Sequence, residues 1–417
     1  MKKFIKLTII IFAISLFHNF TYSQWVSVTS GTSNFLTSVQ IITNNLTYAC
    51  GFTGTVLKST NIGQTWTPLT SPSSGNINKI FFPATGNATT GWAASVSGLY
   101  KSTNSGQNWV QQVASTVFAD LLFPDLNTGL ALTSNNTLRR TTNGGTNFTS
   151  INFTSDASIH GIAISIGSSS TYFILGLDNV VDTSFIFKST NAGVNWTQTA
   201  KLPLDYFAMT FVNASTGIIC GDAGIMKRTT NGGTNWSTIN TGTTNDLQNI
   251  KFITSTKVYA VGSAGTILKS TNAGATWVAQ VSNSTAALRG LDVMSTDDNG
   301  IVCGASGTVR RTTNGGSIPT GIQIIGGEIP GSFSLGQNYP NPFNPATNIT
   351  FSIPNAGYVS VKVYDIMGKE IADVVDQNLT PGIYTADFDA SALPSGTYFY
   401  RLTAGSFTET KKMILIK

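Results

Sequence analysis

A chain of 417 residues in which Asp, Glu, Lys and Arg make up only 10% has few places to carry chemistry; soluble domains average about 25%. No Glu precedes Glu328, so everything before it has Asp as its only carboxylate. Hydrolysis of a glycosidic bond usually needs two carboxylates roughly 5–9.5 Å apart. A pair remains possible among Asp120, Asp125, Asp205, Asp246, Asp292, Asp297 and Asp298. His160 is the only His after His18, and no G-x-S-x-G elbow accompanies it to complete a nucleophilic triad. The three cysteines, Cys50, Cys220 and Cys303, each close an apolar run and precede a Gly. Such neighbours predict buried structural thiols rather than a disulfide or a zinc site. Neither catalysis nor a metal or cofactor is expected.

Seven cations recur at one place: Lys58, Lys101, Arg140, Lys188, Arg228, Lys269 and Arg311. Each opens a short polar motif, KSTNAGATW in the copy from Lys269 to Trp277, whose Asn falls at 61, 104, 143, 191, 231, 272 and 314. Far apart and peripheral, these cations are expected to lay their stems over a strand and their heads in water. The mean spacing of about 42 residues, with strand-like sequence between copies, is the period of a four-stranded propeller blade.

In one unit the strands read as Gln248–Ile253, Lys257–Val261, Thr266–Ser270 and Thr276–Val281, short and rich in β-branched and aromatic residues. The fourth unit carries extra residues around Gly167–Asp182, read as a longer loop. The seventh copy stops after Gly316 with no aromatic residue and no fourth strand, whereas Gln24–Val28 (QWVSV) resembles the outer strands of other units. The N-terminal segment is therefore expected to complete the last blade and close the ring, leaving no seam between first and last sheets.

The motif S/T-x-N-x-G-x-T/N-W resembles the Asp-box, or BNR-type, repeat with Asn in place of Asp. With its flanking strands it resembles photosystem II assembly factor-like propellers over residues 24–317. The resemblance implies an all-β, seven-bladed propeller. The residues themselves assign Asn61, Asn104, Asn143, Asn191, Asn231, Asn272 and Asn314 to structural turns, where side-chain oxygens accept backbone N–H groups and Gly takes a positive φ. Asn also lacks the charge that hard cations prefer. Asp-box propellers include glycoside hydrolases, but this chain lacks the Glu of a sialidase nucleophile pair and has one propeller, not two.

The first 23 residues read as a Sec signal peptide, with Lys2, Lys3 and Lys6 ahead of the apolar run Leu7–Phe17 and small residues at Thr21 and Ser23. With these three gone, the remaining Lys and Arg barely outnumber the 19 acids, so nothing points to nucleic acid. Residues 318–332 are Pro/Gly-rich and read as a linker. From 333 to 417 alternating strands suggest a small Ig-like antiparallel sandwich. Its YPNPFNP (Tyr339–Pro345), LPSGTYFYRL (Leu393–Leu402) and terminal KKMILIK resemble the type A C-terminal sorting domain of the type IX (Por) secretion system. That resemblance implies the translocon as partner and export across the outer membrane, with Lys411, Lys412 and Lys417 as the candidate sorting signal.

The propeller then reads as a surface or secreted binding module for a glycan or a protein, with a hydrolase or a structural surface component as alternatives. A ligand site belongs on the central face, at the loops entering each innermost strand, and its candidates are Phe35, Phe118, His160, Tyr206, Asp246 and Arg289. The aromatic ones either stack on sugar rings or plug the core between blades.

Overall fold

The computed structural model describes residues 25–83, 88–156, 159–178, 180–295, 299–313, 315, 322–326, 329–390 and 393–416. The signal segment, Asp297, Asp298, Asn314 and Lys417 lie outside them. The chain divides into two compact units, Tyr22–Gly316 and Ser317–Lys417.

The described residues of the first unit form seven four-stranded antiparallel sheets, six of them running from an innermost strand outwards in chain order. The innermost strands are Leu36–Thr43, Ile77–Phe81, Phe118–Leu122, Ile159–Ile166, Tyr206–Phe211, Leu247–Phe252 and Leu288–Val293. Each packs against the first strand of the next blade, and Leu288–Val293 returns to Leu36–Thr43 to close the ring. Val26–Val28 supplies the outermost strand of blade 7, with Val26 opposite Arg311 and Val28 opposite Val309. Trp25 is buried beside it, its ring set edge-on to Tyr259 of blade 6.

Blade 4 departs from the expectation of a long loop. Its strands Ile159–Ile166, Tyr172–Asp178, Thr183–Ser189 and Thr197–Pro203 are themselves long. Every residue of Tyr172–Asp178 is buried, so the extra sequence extends the sheet because it is apolar on both faces.

Hydrophobic clusters straddle neighbouring blades, as where Ile218 and Met226 of blade 5 meet Leu247, Val258 and Leu268 of blade 6. Ring stacks recur at one position: Tyr48 on Phe82, Trp92 on Phe123 and Phe173 on Phe211, with centroids 4.3, 3.8 and 3.5 Å apart. Polar stitches sit inside them. Gln40, Ser165, Thr210 and Asp292 occupy the same register, and each accepts the N–H of the matching residue in the next blade: Phe82, Phe211, Phe252 and Ile41.

The box turns behave as the Asn-for-Asp substitution requires. In the copy at Ser270, the hydroxyl donates to Asn272 Oδ1 (2.9 Å) and accepts from Gly274 N (2.9 Å), while Asn272 Oδ1 also accepts from Thr276 N (2.9 Å). The same pattern holds at Asn61, Asn104, Asn143, Asn191 and Asn231. Positive φ is not confined to Gly: the preceding Ile62, Ser105, Ala192 and Ala273 are also left-handed.

Five of the seven box cations end on a main-chain carbonyl and not in water. Lys101, Arg140, Arg228, Lys269 and Arg311 donate to the carbonyls of Gly144, Ala192, Ala273, Gly315 and Ile62, at 2.6, 2.9, 2.9, 3.0 and 2.7 Å. Each acceptor is the residue after the box Asn in the next blade. The tight turn aims that carbonyl outward, and a stem lying over the blade brings the cation to it.

The second unit is a sandwich of two four-stranded sheets around one core. Ile322–Gly326, inside the stretch read as linker, pairs with Gly382–Asp389 and widens one sheet. Its Gly- and Pro-rich flanks carried the linker signal, but its own residues are a β-branched run that an open sheet edge accepts.

Candidate functional site

Antiparallel order puts the entries to the innermost strands and the turns between second and third strands on one face, and the boxes on the other. Each innermost strand is bulged near its start, with one extra residue before pairing resumes. The residue ahead of the strand is pinned by its carbonyl. Phe52 N, Asp222 N, Ser263 N and Ala305 N donate to the carbonyls of Phe35, Asp205, Asp246 and Ala287. The Gly before each donor permits this: a Cβ on Gly262 would stand 1.8 Å from Asp246 O.

This register separates the six candidates. Phe118 and Tyr206 occupy the first paired position and are buried between blades, where burial pushes the Tyr206 phenol up to about 12. They are core plugs and not a sugar platform. Phe35, His160 and Asp246 lie on the entry face. Phe35 stacks on Phe52 (5.2 Å, 28°). His160 Nδ1 is 2.7 Å from the Ser134 carbonyl. Asp246 accepts from Ala223 N (3.1 Å) and faces Ser263 Oγ (3.5 Å), tying two turns together. Arg289 is the bulge residue of blade 7.

The bulge position holds Thr37, Asn78, Ala119, Ile162, Phe207, Gln248 and Arg289, and of these only Arg289 is exposed. The surrounding protein lowers its pKa by desolvation, against the opposing charge of Asp120 on blade 3 across the ring. Phe207, at the same position, escapes a reading that looks for one aromatic per strand start. The Gly that ends the second strand of blades 1, 5, 6 and 7 (Gly51, Gly221, Gly262 and Gly304) fixes the register that finds it.

The carboxylates are occupied in structure. Asp120 pairs with Lys79 (3.5 Å) and accepts Ile164 N (3.1 Å). Asp292 pairs with Lys251 (2.6 Å) and accepts Ile41 N (2.8 Å). Asp125 caps its own turn through Asn127 N and Thr128 N. Asp205 differs: Oδ1 is buried without a hydrogen bond, and desolvation, then the charges of Asp182 and Asp222, raise its pKa. Among the described residues no group of three His, Cys, Asp or Glu is placed to hold a metal. The cysteines are free and buried, and desolvation pushes the Cys50 thiol up to about 12.

The entry face also displays apolar side chains. Phe52 (37% exposed), Val96, Val117, Val180 (83%), Val181 (57%) and Leu204 all lie there, on blades 1 to 4 and the approach to blade 5. Val180 and Val181 form the tip of the extended hairpin of blade 4. Single surface Val or Leu residues mean little; here they recur on the same face of successive blades.

In the second unit, Lys411 and Lys412 point to opposite sides of the terminal strand, because side chains alternate along it. Lys411 is 3.6 Å from Glu409, while Lys412 is exposed. They do not form one basic patch.

Comparison with known proteins agrees with both units. The family model for the secretion system C-terminal sorting domain matches residues 337–417. That for photosynthesis system II assembly factor YCF48 matches residues 110–251. Among solved structures, YCF48 bound to a D1 peptide aligns with a TM-score of 0.59 at 18% identity, over 71% of this chain and 98% of that one. YCF48 from Cyanidioschyzon merolae gives 0.58 at 18% identity, over 70% and 99%. The WD40 propeller domain of Doa1 gives 0.53 at 12% identity, over 68% and 94%. At such identities the neighbours establish the fold alone. No curated protein matches the chain.

Proposed function

Because the chain carries a type IX sorting domain behind a YCF48-like propeller and is thereby marked for export to the cell surface or the extracellular space, we propose that it is a non-catalytic binding protein that takes a polypeptide on the strand-entry face of its propeller. The observation that carries this reading is the apolar crescent of Phe52, Val96, Val117, Val180, Val181 and Leu204. Burial of such residues is the main favourable term in protein association. Arg289 adds a partly desolvated guanidinium suited to a carboxylate of the partner. A propeller of the same fold has been solved with a peptide bound. Glycan recognition loses its aromatic platforms, since Phe118 and Tyr206 are buried and Phe35 turns one ring face to Phe52.

The test is to pan the purified full chain against a phage-displayed library of random dodecapeptides and, in parallel, a printed glycan array. Peptides rich in apolar residues should be enriched. Their affinity should fall at least about tenfold on the double substitution Val180→Glu, Val181→Glu, and should weaken on Arg289→Gln. Reproducible glycan binding indifferent to these substitutions, with no peptide enriched, would overturn the reading.

A further inference from the structure

The two outer faces of the C-terminal sandwich are built from different residues. One sheet, of Ile322–Gly326, Gly382–Asp389, Ala346–Ile353 and Ser334–Leu335, turns Asn348, Thr350, Ser352, Ile383, Thr385 and Asp387 outward, small or acidic side chains but for Ile383. The other, of Glu370–Leu379, Gly357–Tyr364, Gly396–Ala404 and Phe407–Leu415, turns out the carboxylates of Glu370, Asp373 and Asp376 along its Glu370–Leu379 edge and aromatic and cationic side chains on the other three strands. Register puts Tyr364, Phe399 and Lys412 in one row across three strands, and Lys362, Arg401 and Thr410 in the next. The Arg401 guanidinium lies 4.9 Å over the Tyr364 ring. Lys362 is neutralised by Glu370 (3.0 Å) and Asp373 (3.2 Å). Among the described residues no carboxylate stands within ion-pair distance of Arg401 or Lys412. The first face is an ordinary solvated surface. The second combines ring area with two uncompensated cations.

The edge of the terminal strand offers no alternative. Phe343 N donates to Ile414 O and Ile416 N to Phe343 O, both at 2.9 Å. Asn341 Oδ1 accepts Ile414 N (3.0 Å), and Gln337 Nε2 donates to Lys412 O (2.8 Å). Gln337 and the YPNPF segment thus fill the hydrogen-bonding positions that an added strand would use from Lys412 to Ile416, so recognition along that stretch falls to side chains.

We propose that the outward face carrying Tyr364, Phe399, Arg401 and Lys412 is the surface by which the sorting domain docks on the export machinery, and that the partner is a protein surface presenting carboxylates among apolar side chains. Planar guanidinium and aromatic rings in one patch are the composition of interface hot spots, and the unpaired cations fix the sign of the partner.

The experiment expresses the full chain in a type IX-exporting cell and measures the fraction outside the cell against the fraction held in the periplasm. The double variant Arg401→Glu, Lys412→Glu should lower the exported fraction at least about tenfold, and Phe399→Ser severalfold. Thr350→Glu with Thr385→Glu, on the opposite face, should export normally. If the charge-reversed chain fails to fold, judged by protease resistance of the purified protein, Arg401→Gln with Lys412→Gln decides instead and should still show a severalfold loss. Normal export of the face variants, or equal loss from the opposite face, would overturn the proposal. So would co-sedimentation of the wild-type chain with phosphatidylglycerol vesicles that Arg401→Glu, Lys412→Glu abolishes, which would assign the face to the membrane.

Discussion

On the box face, six turns carry the same hydrogen bond from the backbone N–H four residues on to the Asn Oδ1, at 2.9 to 3.0 Å; on the entry face the equivalent positions hold Phe35, Asp205, Asp246 and Ala287, which share only a pinned carbonyl. One face repeats its side chains because side chains make its bonds. The other repeats only its backbone, and its side chains are left to differ. At the bulge position of that face seven copies of one unit hold seven different side chains, from Thr37 to Arg289, and a face so varied is the one that can discriminate between partners.

The largest break of this contrast comes from deleting a box hydroxyl. Ser270→Ala leaves the buried Gly274 N–H without its acceptor and should cost about 1–3 kcal/mol. On the entry face, Ser263→Ala removes only a contact of 3.5 Å to Asp246 and should stay within about 0.5 kcal/mol. Urea titration of both variants checks the pair, and equal losses would erase the distinction. Next is Ile62→Gly. A β-branched residue at a φ of 52° is strained by about 1–2 kcal/mol, so thermal melting should show a gain of up to about 1 kcal/mol once the entropy cost of Gly is included. The smallest is Asp205→Asn. Its pKa is raised in the fold, so the charged form is the disfavoured one. The protonated form's advantage is complete below the unfolded carboxylate value and is lost as pH rises through the folded one. The Asn variant should therefore melt slightly higher than wild type at pH 7, and the difference should vanish as pH falls below about 4.

The ring was legible because its signals are periodic: the Asn spacing, the missing fourth strand after Gly316 and the strand-like Gln24–Val28 together specify closure. The site was less legible because a bulge changes parity. Alternation from Phe118 or Tyr206 sends those rings toward the middle of the ring, whereas the extra residue that follows sets them in the core; in blade 7 that extra residue is Arg289, which is exposed. Nothing in a single strand's composition announces that residue. The destination of the box cations was hidden for a different reason, since their acceptors are main-chain carbonyls about 40 residues away with no identifying side chain. Lys411 and Lys412 divide between the two sides of the terminal strand, because adjacency in sequence is opposition in a strand.

The cation-to-carbonyl contact between blades has a consequence for how such a ring can be assembled from copies. An acceptor on the main chain exists whatever residue occupies the position, and here Gly144, Ala192, Ala273, Gly315 and Ile62 all serve. Lys and Arg reach it equally. A duplicated or transplanted unit therefore arrives with half of a fastening that fits any neighbour, and no matching change next door is needed to secure it. The entry face inherits the freedom: its residues can be rewritten one unit at a time without the ring coming undone.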